Sequence, residues 1–128
     1  MRRLFFTLSV IFFLINLSSA EAGERVLIDE AGRRVKVPLS AKRIISLAPS
    51  ITEILFALGL RQEIIGVTNF CDYPEEVTTK PRIGGFVNPD VEKIVFLKPD
   101  LVIAIADGNR WDTIERLSDR SPRGSGSL

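Results

Sequence analysis

Histidine is absent from this 128-residue chain, and cysteine, methionine, tryptophan and tyrosine each occur once. Without His, the usual general base near neutral pH and the commonest transition-metal ligand are both missing. A Ser-His-Asp or Cys-His hydrolase cannot be assembled from such a chain, and one Cys without His cannot build an ordinary zinc site. Cys71 has no partner for an internal disulfide, so the fold must rest on its core. The expected role of that lone thiol is a small buried apolar side chain. A basic excess is lacking too: 17 basic residues stand against 16 acidic ones, and their signs alternate along the chain. A nucleic-acid binder carries a basic stripe, so nucleic acid is not an expected partner. Nor does a Gly-rich phosphate loop follow any strand. Ala48-Pro49-Ser50-Ile51 succeeds the first continuous apolar strand, and Gly84-Gly85 does not directly follow one. The expectation is therefore a non-enzyme with no catalytic residues, no resident cofactor and no metal site.

The longest apolar run is itself short. Arg2 and Arg3 precede an almost wholly apolar stretch, Leu4 to Leu17, and small residues follow at Ser18, Ser19, Ala20 and Ala22. Positive, apolar, small is the order of a cleavable secretory signal peptide, here residues 1–20. A membrane span needs roughly twenty apolar residues. No Cys follows the run, which argues against a lipid anchor on a mature N-terminal Cys. Without residues 1–20 the count is 15 basic against 16 acidic side chains, a nearly neutral exported chain.

Two short alternating runs, Arg25 to Asp29 and Arg33 to Val37, flank Glu30-Ala31-Gly32 and predict a hairpin. From Arg43 to Leu47 the apolar residues are adjacent, which suits a strand covered on both faces. The period then changes. Ile51, Ile54, Leu55 and Leu58 share one helical face, Ser50 and Glu53 have the spacing of a capping box, and Gly59 can close the helix. Ile64 to Val67 is a second apolar strand, completing a βαβ unit with parallel strands. The stretch from Thr68 to Pro89 is long and irregular, a length that is usually functional. Asn88-Pro89 predicts a helix start, Val91, Ile94 and Val95 its apolar stripe, and Pro99 its limit. Leu101 to Ile105 is a third apolar strand. Asn109 then stands where it could cap a helix through Trp111, Ile114 and Leu117, with Trp111 expected in the core. Residues 119–128 carry no apolar stripe and are expected as a disordered tail.

The stretch from Arg43 to Leu117 resembles the N-terminal lobe of periplasmic binding proteins of cobalamin and ferric-siderophore ABC importers. Four motifs carry the likeness: Arg-Ile-Ile-Ser-Leu-Ala-Pro-Ser (43–50) running into Thr52-Glu53, Cys-Asp-Tyr-Pro (71–74), Gly84-Gly85 with Asn88-Pro89, and Val-Glu-Lys-Ile-Val-Phe-Leu-Lys-Pro-Asp-Leu-Val-Ile (91–103). The resemblance implies an α/β fold: a parallel-sheet βαβ lobe, Rossmann-like, of a two-lobed binding protein with a helical inter-lobe connection. Residues 21–118 would be the N-terminal lobe, and the family's length implies a product about twice this long. On that footing the Ser/Gly-rich end is expected to come from a truncated or frame-shifted reading.

The same resemblance implies the roles of individual residues. Phe70 and Phe86 fall at aromatic positions that face a corrinoid in cobalamin binders, although that branch has Tyr and Trp there. Glu92 falls at the first-lobe carboxylate that pairs with arginines of the membrane permease. The implied function is capture of cobalamin or a ferric chelate in the periplasm and delivery to an ABC permease at the inner membrane, by a monomer. The alternative is an exported lobe that acts only as a non-transporting interaction module. Structural readings compete with each role: Phe70 and Phe86 as loop aromatics tucked into the core, Glu92 as an ordinary solvated helix charge, paired with a neighbouring Lys.

Overall fold

A computed structural model describes residues 23–120. The signal-peptide reading, residues 1–20, lies outside the described residues. Two sheets are present: an antiparallel pair of β1 (Glu24–Ile28) with β2 (Arg34–Pro38), and a parallel three-stranded sheet of β3 (Ile44–Ser46), β4 (Ile64–Val67) and β5 (Leu101–Ile103) in the order β4-β3-β5. Three helices follow the parallel strands or join them: α1 (Pro49–Ala57), α2 (Val91–Phe96) and α3 (Trp111–Arg120). The parallel α/β lobe and the hairpin are both as the sequence predicts.

The hairpin forms because Asp29 organises its turn. One carboxylate oxygen accepts from the backbone N–H groups of Ala31 (3.0 Å) and Arg33 (2.8 Å), and the other pairs with the Arg33 guanidinium. The Arg33 N–H in particular holds the Asp29 carboxyl below its usual range. The whole of β1 is exposed, so this ribbon contributes little to the core.

The core is built on β3. Ile44, Ile45, Ser46, Leu47 and Ala48 are all buried, because a central parallel strand is covered on both faces. One cluster gathers Ile44, Ala48, Ile51, Leu55, Ile64, Val67, Cys71 and Val77; a second, on the other face, gathers Ile45, Leu47, Ile83 and Ile94. Cys71 is buried as expected.

A polar clamp sets the parallel register at the start of the sheet. The Asp100 carboxylate accepts from the N–H groups of Lys42 (2.9 Å) and Arg43 (3.1 Å), while the Arg43 carbonyl accepts from Asp100 N–H at 2.9 Å. The Arg43 guanidinium donates to the carbonyls of Leu97 (2.6 Å) and Lys98 (3.1 Å). Lys98 has φ of 50°, a left-handed conformation that costs a non-Gly residue about 1 kcal/mol. The Lys-Pro-Asp segment thus ends α2, turns sharply and enters β5 under the control of one arginine and one aspartate.

Several local expectations are corrected. Helix α1 begins at Pro49 with Ala48 at the N-cap, and no side chain caps it; the Ser50–Glu53 capping box is not formed. Proline lacks an N–H and has its φ preset, so it takes the first helical position and leaves Ser50 inside the helix. The buried face of α1 is Ile51, Thr52 and Leu55; Ile54 and Leu58 are 59% and 67% exposed, one step around the helix from the core. Gly59, at φ 78°, does close the helix: its N–H donates to Phe56 O and that of Leu60 to Leu55 O, the paired bonds of a Schellman end. Helix α2 starts after Asp90, whose carboxylate accepts from Lys93 N–H at 3.0 Å, and not at Pro89, which bridges to Gly84. Val95 stays outside its buried stripe of Val91 and Ile94. Trp111 is not core: it is 45% exposed, with the Arg33 guanidinium 5.0 Å from its ring centroid. Helix α3 continues through Asp119 and Arg120, the first two residues of the segment expected as a tail; the other eight lie outside the described residues.

The clamp generates a prediction. Asp100→Ala removes two charge-assisted acceptors at the start of β3, and chemical denaturation of the chain is expected to show a loss of about 1–3 kcal/mol.

Candidate functional site

In an open parallel sheet, ligands lie in the crevice outside the carboxyl ends of the strands. Here those ends are followed by three loops: 47–48 after β3, the long segment 68–90 after β4, and 104–110 after β5. The long segment contains a 3-10 helix (Glu75–Thr79), and residues 81–83 run beside β4, with Val67 N–H donating to Pro81 O and Ile83 N–H to Val67 O. This pairing fastens the middle of the segment to the sheet and leaves its two flanks at the carboxyl edge.

Those flanks carry Phe70 and Phe86. With Pro49, Gly85, Val87 and Asn88 they line one open concavity of about 490 Å³, and no charged side chain borders it. Phe70 is 64% exposed, whereas Phe86 is half-buried against the first core cluster. The two aromatics singled out in the sequence therefore meet at one surface.

Two residues that sequence reasoning assigned otherwise hold this surface in place. Asn109 does not cap α3. Its carboxamide is buried, donates to Leu47 O (3.0 Å) and Phe86 O (2.8 Å), and accepts from Ile105 N–H (2.9 Å). One side chain thus joins all three loops, and its three bonds leave none of these groups unpaired. Gly108 lies directly under the Phe86 ring: a Cβ there would stand 2.0 Å from Phe86 Cζ. The dipeptide Gly108-Asn109 reads as turn chemistry in the sequence, and nothing in its spacing shows these distant partners.

Glu92 stands apart, in the first turn of α2. It is largely exposed and pairs with Arg120 of α3. Its partner is a residue 28 positions away, not a neighbouring Lys. The described residues contain no group of three or more His, Cys, Asp and Glu side chains placed to hold a metal ion, and no helix among them is long and apolar enough to cross a membrane.

A parallel sheet with helices around it, and an open aromatic concavity lined by no charged side chain at its carboxyl end, defines the class as an open α/β lobe. Sequence comparison makes this specific: the profile of the periplasmic binding protein family matches residues 44–122, and the chain belongs to that family. It is 46% identical over 80 residues to an uncharacterized ABC transporter substrate-binding lipoprotein of Bacillus subtilis (strain 168), covering 62% of this chain and 25% of that protein. Among solved structures, it is similar to the periplasmic vitamin B12-binding protein of Vibrio cholerae, with a TM-score of 0.59 and 40% identity over 62% of this chain and 31% of that one. The periplasmic heme-binding protein of Roseiflexus sp. RS-1 in its apo form gives a TM-score of 0.58 and 34% identity, over the same shares of the two chains. The chain spans about a quarter of the length of the curated relatives it matches. These relatives are binding proteins, in accord with the expectation of a non-enzyme.

The packing under Phe86 is testable. Gly108→Ala is expected to push the Phe86 ring out of its seat and to cost about 1–3 kcal/mol through overpacking. Aromatic ring shifts of Phe86 and a denaturation curve check both effects; an unmoved ring would contradict the contact.

Proposed function

We propose that this chain supplies one wall of the ligand cleft in the solute-binding component of an ABC importer, and that the solute is cobalamin or a ferric chelate. The observation that carries this reading is the uncharged concavity that brings Phe70 and Phe86 together at the carboxyl edge of the sheet. Flat apolar side chains pack on a macrocycle with little ordering cost, and such sites are mainly apolar with few polar groups. Relatives that bind vitamin B12 and heme support a large, flat, metal-bearing solute as the class. On this reading the chain works in the periplasm, as a monomer, and hands its ligand to a permease at the inner membrane.

Glu92 is the docking carboxylate in this account. An exposed charge on a short helix steers and orients encounter with a basic partner more than it adds affinity. The Arg120 guanidinium now on Glu92 is an exposed surface pair of small worth, about 0–1 kcal/mol, and exchanges for a permease arginine at little cost.

A single wall binds weakly, so both roles are read in a two-lobed carrier with this chain as its first lobe. Phe86→Ala there is expected to weaken cyanocobalamin or ferric-hydroxamate binding about 10- to 100-fold, in line with burial of one large apolar side chain. Absorbance titration measures it, and unchanged affinity would remove Phe86 from the site. Glu92→Arg is expected to slow transport while leaving ligand affinity intact. Lost ligand binding instead would place Glu92 in the cleft and not at the docking face.

A further inference from the structure

Phe70 is an exposed aromatic at the tip of a tight turn, a position where loop side chains are ordinarily mobile. This turn is braced from several sides. Cys71 N–H donates to Thr68 O at 3.2 Å, closing the turn with Asn69 and Phe70 at its centre. Beneath it, the Cys71 thiol lies 3.3 Å from Thr68 Oγ1 and 3.2 Å from Thr52 Oγ1, all three groups buried. Asn69 N–H donates to Gly84 O at 2.8 Å.

The remaining brace is Arg82. A single guanidinium nitrogen, Nη1, donates to Thr68 O (2.8 Å) and to Cys71 O (2.5 Å), the carbonyls on either side of Asn69-Phe70. Arg82 itself is fixed because its backbone bridges to Val67 beside β4. It is half-buried and does not line the concavity. Its charge is spent on two neutral carbonyls of the turn that carries Phe70.

We propose that Arg82 is a positioning residue that holds Phe70 in a preformed presentation toward the ligand. The proposal rests on the reading of Phe70 as a ligand contact. A turn ordered before binding does not lose its backbone freedom during binding, so affinity rises without any new contact. Arg suits the task because its planar fork keeps two bonds in fixed directions, which an ammonium on a flexible stem does not.

The test uses the 128-residue chain with Arg82→Met, which keeps the stem but removes the donors, and Arg82→Lys, which keeps the charge. Without any probe, amide exchange and backbone relaxation are read at Asn69 and Phe70. Cyanocobalamin is then titrated into the two-lobed carrier that has this chain as its first lobe, while resonances of Phe70 and Phe86 are followed. Expected for Arg82→Met is a loosened turn at 69–70 with the amides of β3, β4 and β5 still protected. Half-saturation at Phe70 should move to about 5- to 10-fold higher probe concentration, the scale of one newly mobile side chain. Arg82→Lys should fall between the two. If Arg82→Met does not fold, the comparison of Arg82→Lys with the wild type carries the test. A turn that stays ordered in the variant overturns the proposal, and so does a loosened turn with unchanged half-saturation. Should cyanocobalamin, hemin and a ferric hydroxamate all leave Phe70 and Phe86 of the wild-type two-lobed carrier unperturbed, the functional reading fails and the positioning role with it. The probe-free measurement separates that failure from a failure of the brace.

Discussion

The buried carboxamide of Asn109 is the interaction on which the aromatic concavity depends. It ties the loop after β3 at Leu47, the long loop at Phe86 and the loop after β5 at Ile105 through three hydrogen bonds. These are backbone groups of loops, which have no ladder partner of their own at these positions. A buried backbone group left without a bond costs about as much as a lost hydrogen bond. One side chain with two donors and one acceptor meets all three needs at once. The consequence is geometric as well as energetic: three loops that could each move alone become one surface.

The rest of the lobe is arranged around the same strand. At its start, Asp100 and Arg43 fix β3 against β5 and restrain the left-handed turn at Lys98. At its end, Asn109 gathers the loops, Gly108 leaves room for the Phe86 ring, and the bracing around Cys71 supports Phe70. The concavity that results is lined by two aromatic rings and by no charged side chain. On the proposed reading this concavity takes a large apolar solute; a phosphate or a carboxylate would call for a basic side chain or a cradle of N–H groups.

Much of this architecture was legible in the sequence. Adjacent apolar residues at Ile44-Ile45 announced two-sided burial, the apolar run Ile64 to Val67 announced a second strand, and alternating runs around Glu30-Ala31-Gly32 announced the hairpin. Gly59 announced the Schellman end. Proline and cap signals were legible but ambiguous in position. Pro49 took the first helical place and so displaced the Ser50 cap, whereas Pro89 bonded into a bridge and left Asp90 as the cap. The same residue type gave opposite outcomes because the long loop, held beside β4, fixes Pro89 before α2 begins. Phe70 and Phe86 were legible as a pair only through the family likeness. Asn109, Gly108 and Arg82 were not legible as parts of the wall, since their partners are separated from them by 11 to 62 residues for the bonds that matter most. Trp111 misled for a related reason: its apolar ring found a cation on the hairpin instead of a place in the core.

Hydrogen exchange of the Asn109 side-chain amide tests the central claim most directly. Both Nδ2 protons are bound to carbonyls in a buried site, so they should exchange orders of magnitude more slowly than those of the exposed Asn69 and Asn88. Exchange of Asn109 at the rate of those two surface amides would contradict the account, because the three loops would then have nothing in common to hold them as one wall.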